Sequence, residues 1–299
     1  NLVAFVILSR GKCGLSTCIT RYLVGMAAAD LLVIISNPLL RRVGQHYFPQ
    51  SFLHITPVCS LTIVLLSTST HVSVWLTVAF TFDRFVAICC EKLKTKYCTK
   101  ETAGVVIGTV SVMSCLASIP WYFIYKPSKL IDGVPWFCVV TREFYTSVAW
   151  GTFDVTDRIL TPCIPIFLVL LLNGLTTGRI LAAGIVRRRL RGSSGEKGKD
   201  PEMEKRNKSI VLLFSITGSF ILLWITQLVF MVYRRIATVQ SYISYSDPNY
   251  ITEQISFMLQ VLSTCTNTCI YVLTQSQFRE ELKKAVKYPL NAVVKLIKP

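Results

Sequence analysis

Long apolar runs separated by short polar, basic stretches set the rhythm of this chain. They predict helices over about 18–42, 56–90, 102–125, 147–188, 204–236 and 250–274, each near or above the ~20 residues a helix needs to cross the hydrocarbon of a bilayer. A further run, 1–9, opens directly on Asn1-Leu-Val-Ala-Phe-Val-Ile-Leu, with no signal-peptide pattern before it. It is too short to span, so the expectation is that the chain starts inside its first membrane helix. The pattern predicts an all-α membrane protein: a seven-transmembrane helix bundle over 1–274, with helix 1 truncated at its N-terminus.

Two segments stand outside that rhythm. Between the fifth and sixth helices, 189–203 contains Gly-Ser-Ser-Gly among mixed charges and predicts a flexible linker. It is no phosphate-binding loop, because Asp200 stands where Ser or Thr is required. In the last segment, 275–299, Phe278, Leu282, Ala285 and Val286 recur at helical spacing among Lys283, Lys284 and Lys287. That pattern predicts a short amphipathic eighth helix on the inner membrane face, held by apolar contact and anionic lipid, with Pro289 ending it.

Composition adds the solvent and the orientation. The chain is 52% hydrophobic and 16% charged, against about a quarter charged in soluble domains. An excess of 32 Lys+Arg over 16 Asp+Glu raises nucleic acid as a partner. The basic residues instead sit in short clusters between apolar runs, without interleaved aromatics or zinc-finger spacing, which excludes it. Alternate loops (10–21, 84–100, 179–208 and 275–299) hold 24 of the 32, so these face the cytoplasm and the N-terminus lies outside. Of eleven cysteines, only Cys59 and Cys138 then fall at or beyond the outer surface; the others lie where thiols stay reduced. A Cys59–Cys138 disulfide would tie the outer end of the third helix to the loop after the fourth. Two free thiols are the alternative.

Charges inside the apolar runs are few and therefore informative. Asp83 and Arg84 interrupt "VWLTVAFTFDRFVAICC" side by side, a placement tolerable where the pair reaches the interface and its members bind each other. Asp30 lies mid-bilayer, where an ionised acid costs several kcal/mol unless paired or given a cation. Facing inward nearer the outside are His71, Asp154, Asp157, Arg158 and Gln227, with Arg234 and Arg235 at the rim. Asp154 and Arg158, four apart in acid-first order, can equally satisfy each other. Three scattered histidines (His46, His54, His71) and the lack of a Ser-His-Asp pattern or paired mid-membrane carboxylates speak against an enzyme. A transporter would show repeats or broken helices, and no internal repeat is visible.

In chain order stand Asn1, "MAAADLL" with Asp30, Cys59, Asp83-Arg84-Phe85 with Arg84 25 residues after Cys59, Phe220 four before Trp224, "NTCIY" from Asn267 to Tyr271, and Phe278. This series resembles the motifs of the rhodopsin-like (class A) G-protein-coupled receptors, and the resemblance covers essentially the whole chain. Within that class, "STHVSVWLTVAFTFDRFVAIC" and "TCTNTCIY" are most similar to the G-protein coupled receptor 139 group, which is implicated in sensing aromatic amino acids. Departures from the class pattern are Thr226 and Thr268 in place of prolines, Asn173 in place of a tyrosine eight after Pro165, and a fourth helix without its tryptophan.

The resemblance implies a plasma-membrane receptor without covalent chemistry or cofactor. It implies an extracellular ligand, an aromatic amino acid or small peptide, and a heterotrimeric G protein, of the Gq/11 class. Asp83, Arg84, Phe85, Asn267 and Tyr271 would form the coupling switch. Arg206 stands where some relatives carry an acid that locks this arginine, which implies repulsion and high basal activity. Asp30, Ser73, Ser263, Asn267 and Trp224 match a sodium-binding set; a protonated Asp30 bonded to Asn267 is the other reading. Val74, Pro165, Phe220 and Trp224 match a transmission core, although membrane tryptophans most often simply pack. Leu66, His71, Asp154, Asp157, Arg158, Gln227 and Arg234 would line the ligand pocket. Leu66 stands where aminergic receptors place an aspartate, which disfavours a monoamine. A seven-helix protein that no longer signals, and less readily a transporter, remain the competing readings.

Overall fold

The computed structural model describes residues 1–191, 201–236 and 246–285, with side chains for all of these except 45, 183–191, 201–209 and 234–236. Numbering only the long helices, α1 is Leu2–Ser9, α2 Thr17–Ile34, α3 Thr56–Cys89, α4 Lys100–Ser118, α5 Ile164–Arg191, α6 Pro201–Ile236 and α7 Pro248–Thr274. A further helix over 276–285, α8, follows after a one-residue break at Gln275. Six of these elements, with their continuations, are long and apolar enough to cross a membrane; α1, at eight residues, is not. Much of the expected linker 189–203 and all of the tail beyond 285 lie outside the described residues.

Local chemistry sets the ends and the breaks. Ser16 caps α2 through the Ile19 N–H, Thr99 caps α4 through the Thr102 N–H, and Asp247 caps α7 through the Asn249 N–H with Pro248 at the first helical position. Pro38 has no N–H to donate, and α2 continues around it as a wider π-helical stretch, Ile35–Gly44. Pro162 does the same ahead of α5. There Val148–Arg158 joins α5 through Ile159–Cys163, inside which Thr161 leaves helical geometry (φ −149°, ψ 104°). Close packing fixes α2 against α3 at Gly25, where an added Cβ would lie 3.1 Å from Leu76.

α3 runs through the middle of the bundle, against α2, α4 and α5. The main buried apolar cluster joins α1, α2, α3, α6, α7 and α8 through Ile7, Leu23, Met26, Leu76, Phe80, Leu212, Ile216, Ile270 and Phe278. It lies toward the end of α3 that carries Asp83 and Arg84. On the outward faces large apolar side chains stand exposed, Leu222 and Leu273 among them, as a lipid-facing surface requires. The protein is a multi-pass membrane protein.

One element departs from the all-α expectation. Tyr125–Ile131 (β1) and Val134–Val140 (β2) form an antiparallel hairpin that turns on Asp132-Gly133, both with positive φ (51° and 76°). Asp-Gly is the sequence that a two-residue turn of this kind selects, so the signal was present in a stretch read as loop. The hairpin sits over the start of α3. The Cys59–Cys138 disulfide, a bridge between Ile55 and Trp136 and the Thr56 hydroxyl donating to the Pro135 carbonyl at 3.3 Å hold it there.

Candidate functional site

Asp83 and Arg84 occupy the last turns of α3, and both are buried, 0% and 6% exposed. Arg84 donates from Nε to Asp83 Oδ2 at 3.0 Å and from a terminal guanidinium nitrogen to the same oxygen. The other carboxylate oxygen, Oδ1, accepts the thiol of Cys18 on α2 at 3.1 Å. The Cys98 thiol approaches the Asp83 carbonyl at 3.6 Å. Burial, reinforced by the Asp83 charge, pushes the Cys98 thiol up to about 12, so it stays protonated and able to donate. The sequence reading missed both thiols. A lone cysteine carries no sequence mark of a hydrogen-bond role, and only the fold brings Cys18 across 65 residues to the acid.

The remaining coupling residues lie nearby in the chain's folded order. Phe85 is half-buried with its ring 6.4 Å from Phe82. Tyr271 is buried, its ring 5.8 Å from Phe278, and its hydroxyl has no hydrogen-bond partner among the described residues. Arg206 lies on α6, but its side chain is outside the described residues.

Further along the bundle Asp30 is wholly buried. Its Oδ1 accepts from the Ser73 hydroxyl at 2.5 Å and its Oδ2 from Asn267 Nδ2 at 2.9 Å. A cavity of about 20 Å³ adjoins it, lined also by Thr70, Gln260, Ser263 and Trp224. That space is enough for one water-sized occupant. An ionised carboxylate has about four acceptor directions, of which two are taken. With the Ser73, Ser263 and Gln260 oxygens around it, the donor set fits a small hard cation.

Trp224 and Phe220 both line that cavity, and both belong to a buried group with Val74 and Ile166. Their two rings are 5.6 Å apart. Pro165 is buried next to Ile166 on α5.

Nearer the disulfide, the expected pocket residues pair with one another. His71 Nε2 lies 3.0 Å from Asp157 Oδ1, and Arg158 donates to Asp154 Oδ1 at 2.9 Å. Leu66 is buried. Gln227 is buried with its carbonyl oxygen unpartnered among the described residues. The side chains of Arg234 and Arg235 are outside the described residues.

A six-span bundle completed by a short first helix, with an Asp-Arg pair closing α3, a buried aspartate bonded to an α7 asparagine, and a disulfide from α3 to the following hairpin, defines a membrane receptor. The chain belongs to the rhodopsin family of 7 transmembrane receptors, whose model matches residues 1–271. It is 23% identical over 278 residues to G-protein coupled receptor 15 of Mus musculus, a match covering 89% of this chain and 69% of that protein. Over 299 residues it is 22% identical to the neuromedin-K receptor of Cavia porcellus, covering 96% of this chain and 61% of that one. The sex peptide receptor of Drosophila melanogaster is 24% identical over 305 residues, 94% of this chain and 68% of that protein. The chain thus spans 61 to 69% of the length of these three relatives. All are receptors, and this chain is a receptor rather than an enzyme. These matches establish the class; the finer likeness to the G-protein coupled receptor 139 group rests on its motifs alone.

Proposed function

We propose that the chain is a plasma-membrane receptor that binds a peptide from the disulfide side and promotes nucleotide exchange on a heterotrimeric G protein of the Gq/11 class. The observation that carries the coupling half is the buried Asp83–Arg84 pair at the end of α3 opposite the disulfide. A guanidinium held inside the bundle by a neighbouring carboxylate is a stored contact, available to a partner only when the surrounding helices part. A ligand that binds the parted state more tightly shifts the equilibrium toward it. α6 then moves away, Arg84 leaves Asp83, and the G protein docks against Arg84 and the basic loops. The positive-inside charge distribution supports a cytoplasmic position for that end. The peptide half is supported by the sex peptide receptor among the relatives and by Leu66 in place of an acid in the pocket.

GTPγS loading of a panel of purified G proteins by the membrane-reconstituted chain tests this. Loading is expected with the native chain and a drop of at least about tenfold with Arg84→Ala. Equal loading by both would show that Arg84 does not couple.

The Asp30 cavity is proposed to take a sodium ion, held by Asp30, Ser73, Ser263 and Asn267, with Trp224 as its roof. When bound, the ion supplies only charge compensation, favouring the packed state in which these helices surround it. NaCl, and not KCl at equal ionic strength, is expected to lower ligand-free loading and raise the melting temperature. Asp30→Asn is expected to abolish both responses. Equal effects of the two salts on the native chain would remove the ion from the account.

A further inference from the structure

Among the described residues a single hydrogen bond joins α5 to α6. Asn173 on α5 donates from its amide nitrogen to the Thr217 hydroxyl oxygen at 2.7 Å. The one hydroxyl hydrogen of Thr217 goes to the Leu213 carbonyl at 2.9 Å. Its oxygen can therefore only accept from Asn173, and the atom facing it must be the amide nitrogen. The Asn173 carbonyl oxygen then points away, buried and unpartnered among the described residues. Thr217 is wholly buried. An unmet buried acceptor is costly, and a leucine would fill the same space without one. Packing alone does not call for an asparagine here.

Its position gives another reason. Ile166 and Trp224 belong to one buried group with Val74. Asn173 follows Ile166 by seven residues and Thr217 precedes Trp224 by seven, which at 1.5 Å per residue puts the bond about 10 Å nearer the Asp83–Arg84 end. Arg84 follows Val74 by ten, about 15 Å along α3. The bond thus ties α6 to α5 about one turn short of the arginine. The residue after Thr217 is Gly218, the only glycine in α6, and no proline follows Pro201 within that helix. A Cβ added at Gly218 would meet nothing within 4 Å, so packing does not require glycine, which weakens a helix interior. Ser219 turns its hydroxyl back to the Ile216 carbonyl at 2.9 Å. Gly-Ser pairs and hydroxyl back-bonding are where helices without an internal proline bend.

We infer that Asn173 is a positioning residue for coupling: its bond to Thr217 holds the inner part of α6 against α5, and release of that bond lets α6 bend at Gly218-Ser219. The tie and the bending point are adjacent in sequence, so one bond decides whether the soft point is used. The part of α6 before Gly218 then moves relative to the part that carries Phe220 and Trp224, which is the motion proposed to free Arg84. A neutral hydrogen bond present in only one of two states shifts their ratio by about fivefold. That biases the helix toward the packed state without locking it there. The inference rests on helix movement as the coupling step, but the tie itself is measured without any G protein.

The test is a distance measurement on the full chain in lipid nanodiscs. Spin labels are placed through a noncanonical amino acid at Glu101 on α4 and Val211 on α6, both exposed, and read by pulsed electron paramagnetic resonance. The native chain is expected to show a major distance and a minor, longer one. Asn173→Leu and Thr217→Val are each expected to raise the longer fraction about fivefold, and the double variant to raise it no further. Thr217→Ser keeps the acceptor and is expected to keep the native fraction. Gly218→Ala, added to Thr217→Val, is expected to return the fraction to the native level or below. A bond with only a structural role would lower the melting temperature and leave the fractions equal, which would overturn the inference. So would single effects that add in the double variant, or a raised fraction that Gly218→Ala leaves unchanged. Basal GTPγS loading is read on the same variants. Loading that ignores a shifted distance counts against the coupling reading and leaves the tie standing; an unshifted distance counts against the tie whatever the loading.

Discussion

Asp83→Ala is expected to raise ligand-free nucleotide exchange several-fold while lowering the melting temperature. Arg84 is 6% exposed, and both of its described bonds to a side chain end on one Asp83 oxygen. Removing one member of a buried ion pair typically costs about 3–5 kcal/mol, because the surviving charge stays desolvated. The guanidinium lowers that cost by reaching water, and water lies at the near end of α3, in the direction a G protein approaches. Stability and basal signalling should therefore move in opposite directions in one variant. Asp83→Asn keeps the shape and the acceptor but not the charge, so its effect is expected to be smaller. Cys18→Ala removes only the neutral thiol bond to Oδ1, worth about 1 kcal/mol, and is expected to raise basal exchange by no more than about fivefold. Cys18→Ser should restore the native level. Basal GTPγS loading ranks the variants; an Asp83→Ala chain no more active than the native one would show that the pair is not the restraint.

The legible part of this molecule was what lipid makes expensive. A spanning helix must be apolar for some twenty residues, so the spans stand out, and Asp30, Asp83 and Arg84 stand out against them because a charge there requires a reason. Partners were less legible. That Asp30 meets Ser73 and Asn267 followed from motif order. That Asp83 meets Cys18 did not, because nothing in a cysteine's neighbourhood marks it as a donor. The pairing of His71 with Asp157 is also invisible along the chain, where the two lie 86 residues apart. Asn37, buried with both side-chain amide atoms unpartnered among the described residues, escaped notice for a related reason. It sits just before Pro38, in a stretch where the helix widens, and its isolation is a property of the surrounding packing rather than of its sequence. The hairpin was missed because a search tuned to twenty-residue runs passes over two seven-residue strands.

Cys138→Ser is expected to produce the largest loss of stability of any single change considered. The disulfide joins residues 79 apart in sequence, and closing a loop of that length removes about 4–5 kcal/mol of chain entropy from the unfolded state. A melting-temperature fall of roughly 10 °C or more is the scale to expect. The loss should also be local. With the covalent tie gone, the hairpin over the start of α3 keeps the Ile55–Trp136 bridge, the bond from Thr56 to Pro135, the bond from Arg41 to the Tyr125 hydroxyl and the His54–Phe137 ring contact. Amides of β1 and β2 should then exchange with solvent well before those around Asp83, Arg84 and the apolar cluster at the far end of the bundle. Because the hairpin lies over the disulfide-side end of the bundle, from which the ligand is proposed to enter, loss of its anchorage should weaken ligand binding more than it alters basal exchange. Cys59→Ser should match Cys138→Ser in every readout, and mild reduction of the native chain should reproduce both. Hairpin amides that keep their protection in either variant would show that the noncovalent contacts suffice, and that the disulfide acts only on the unfolded chain.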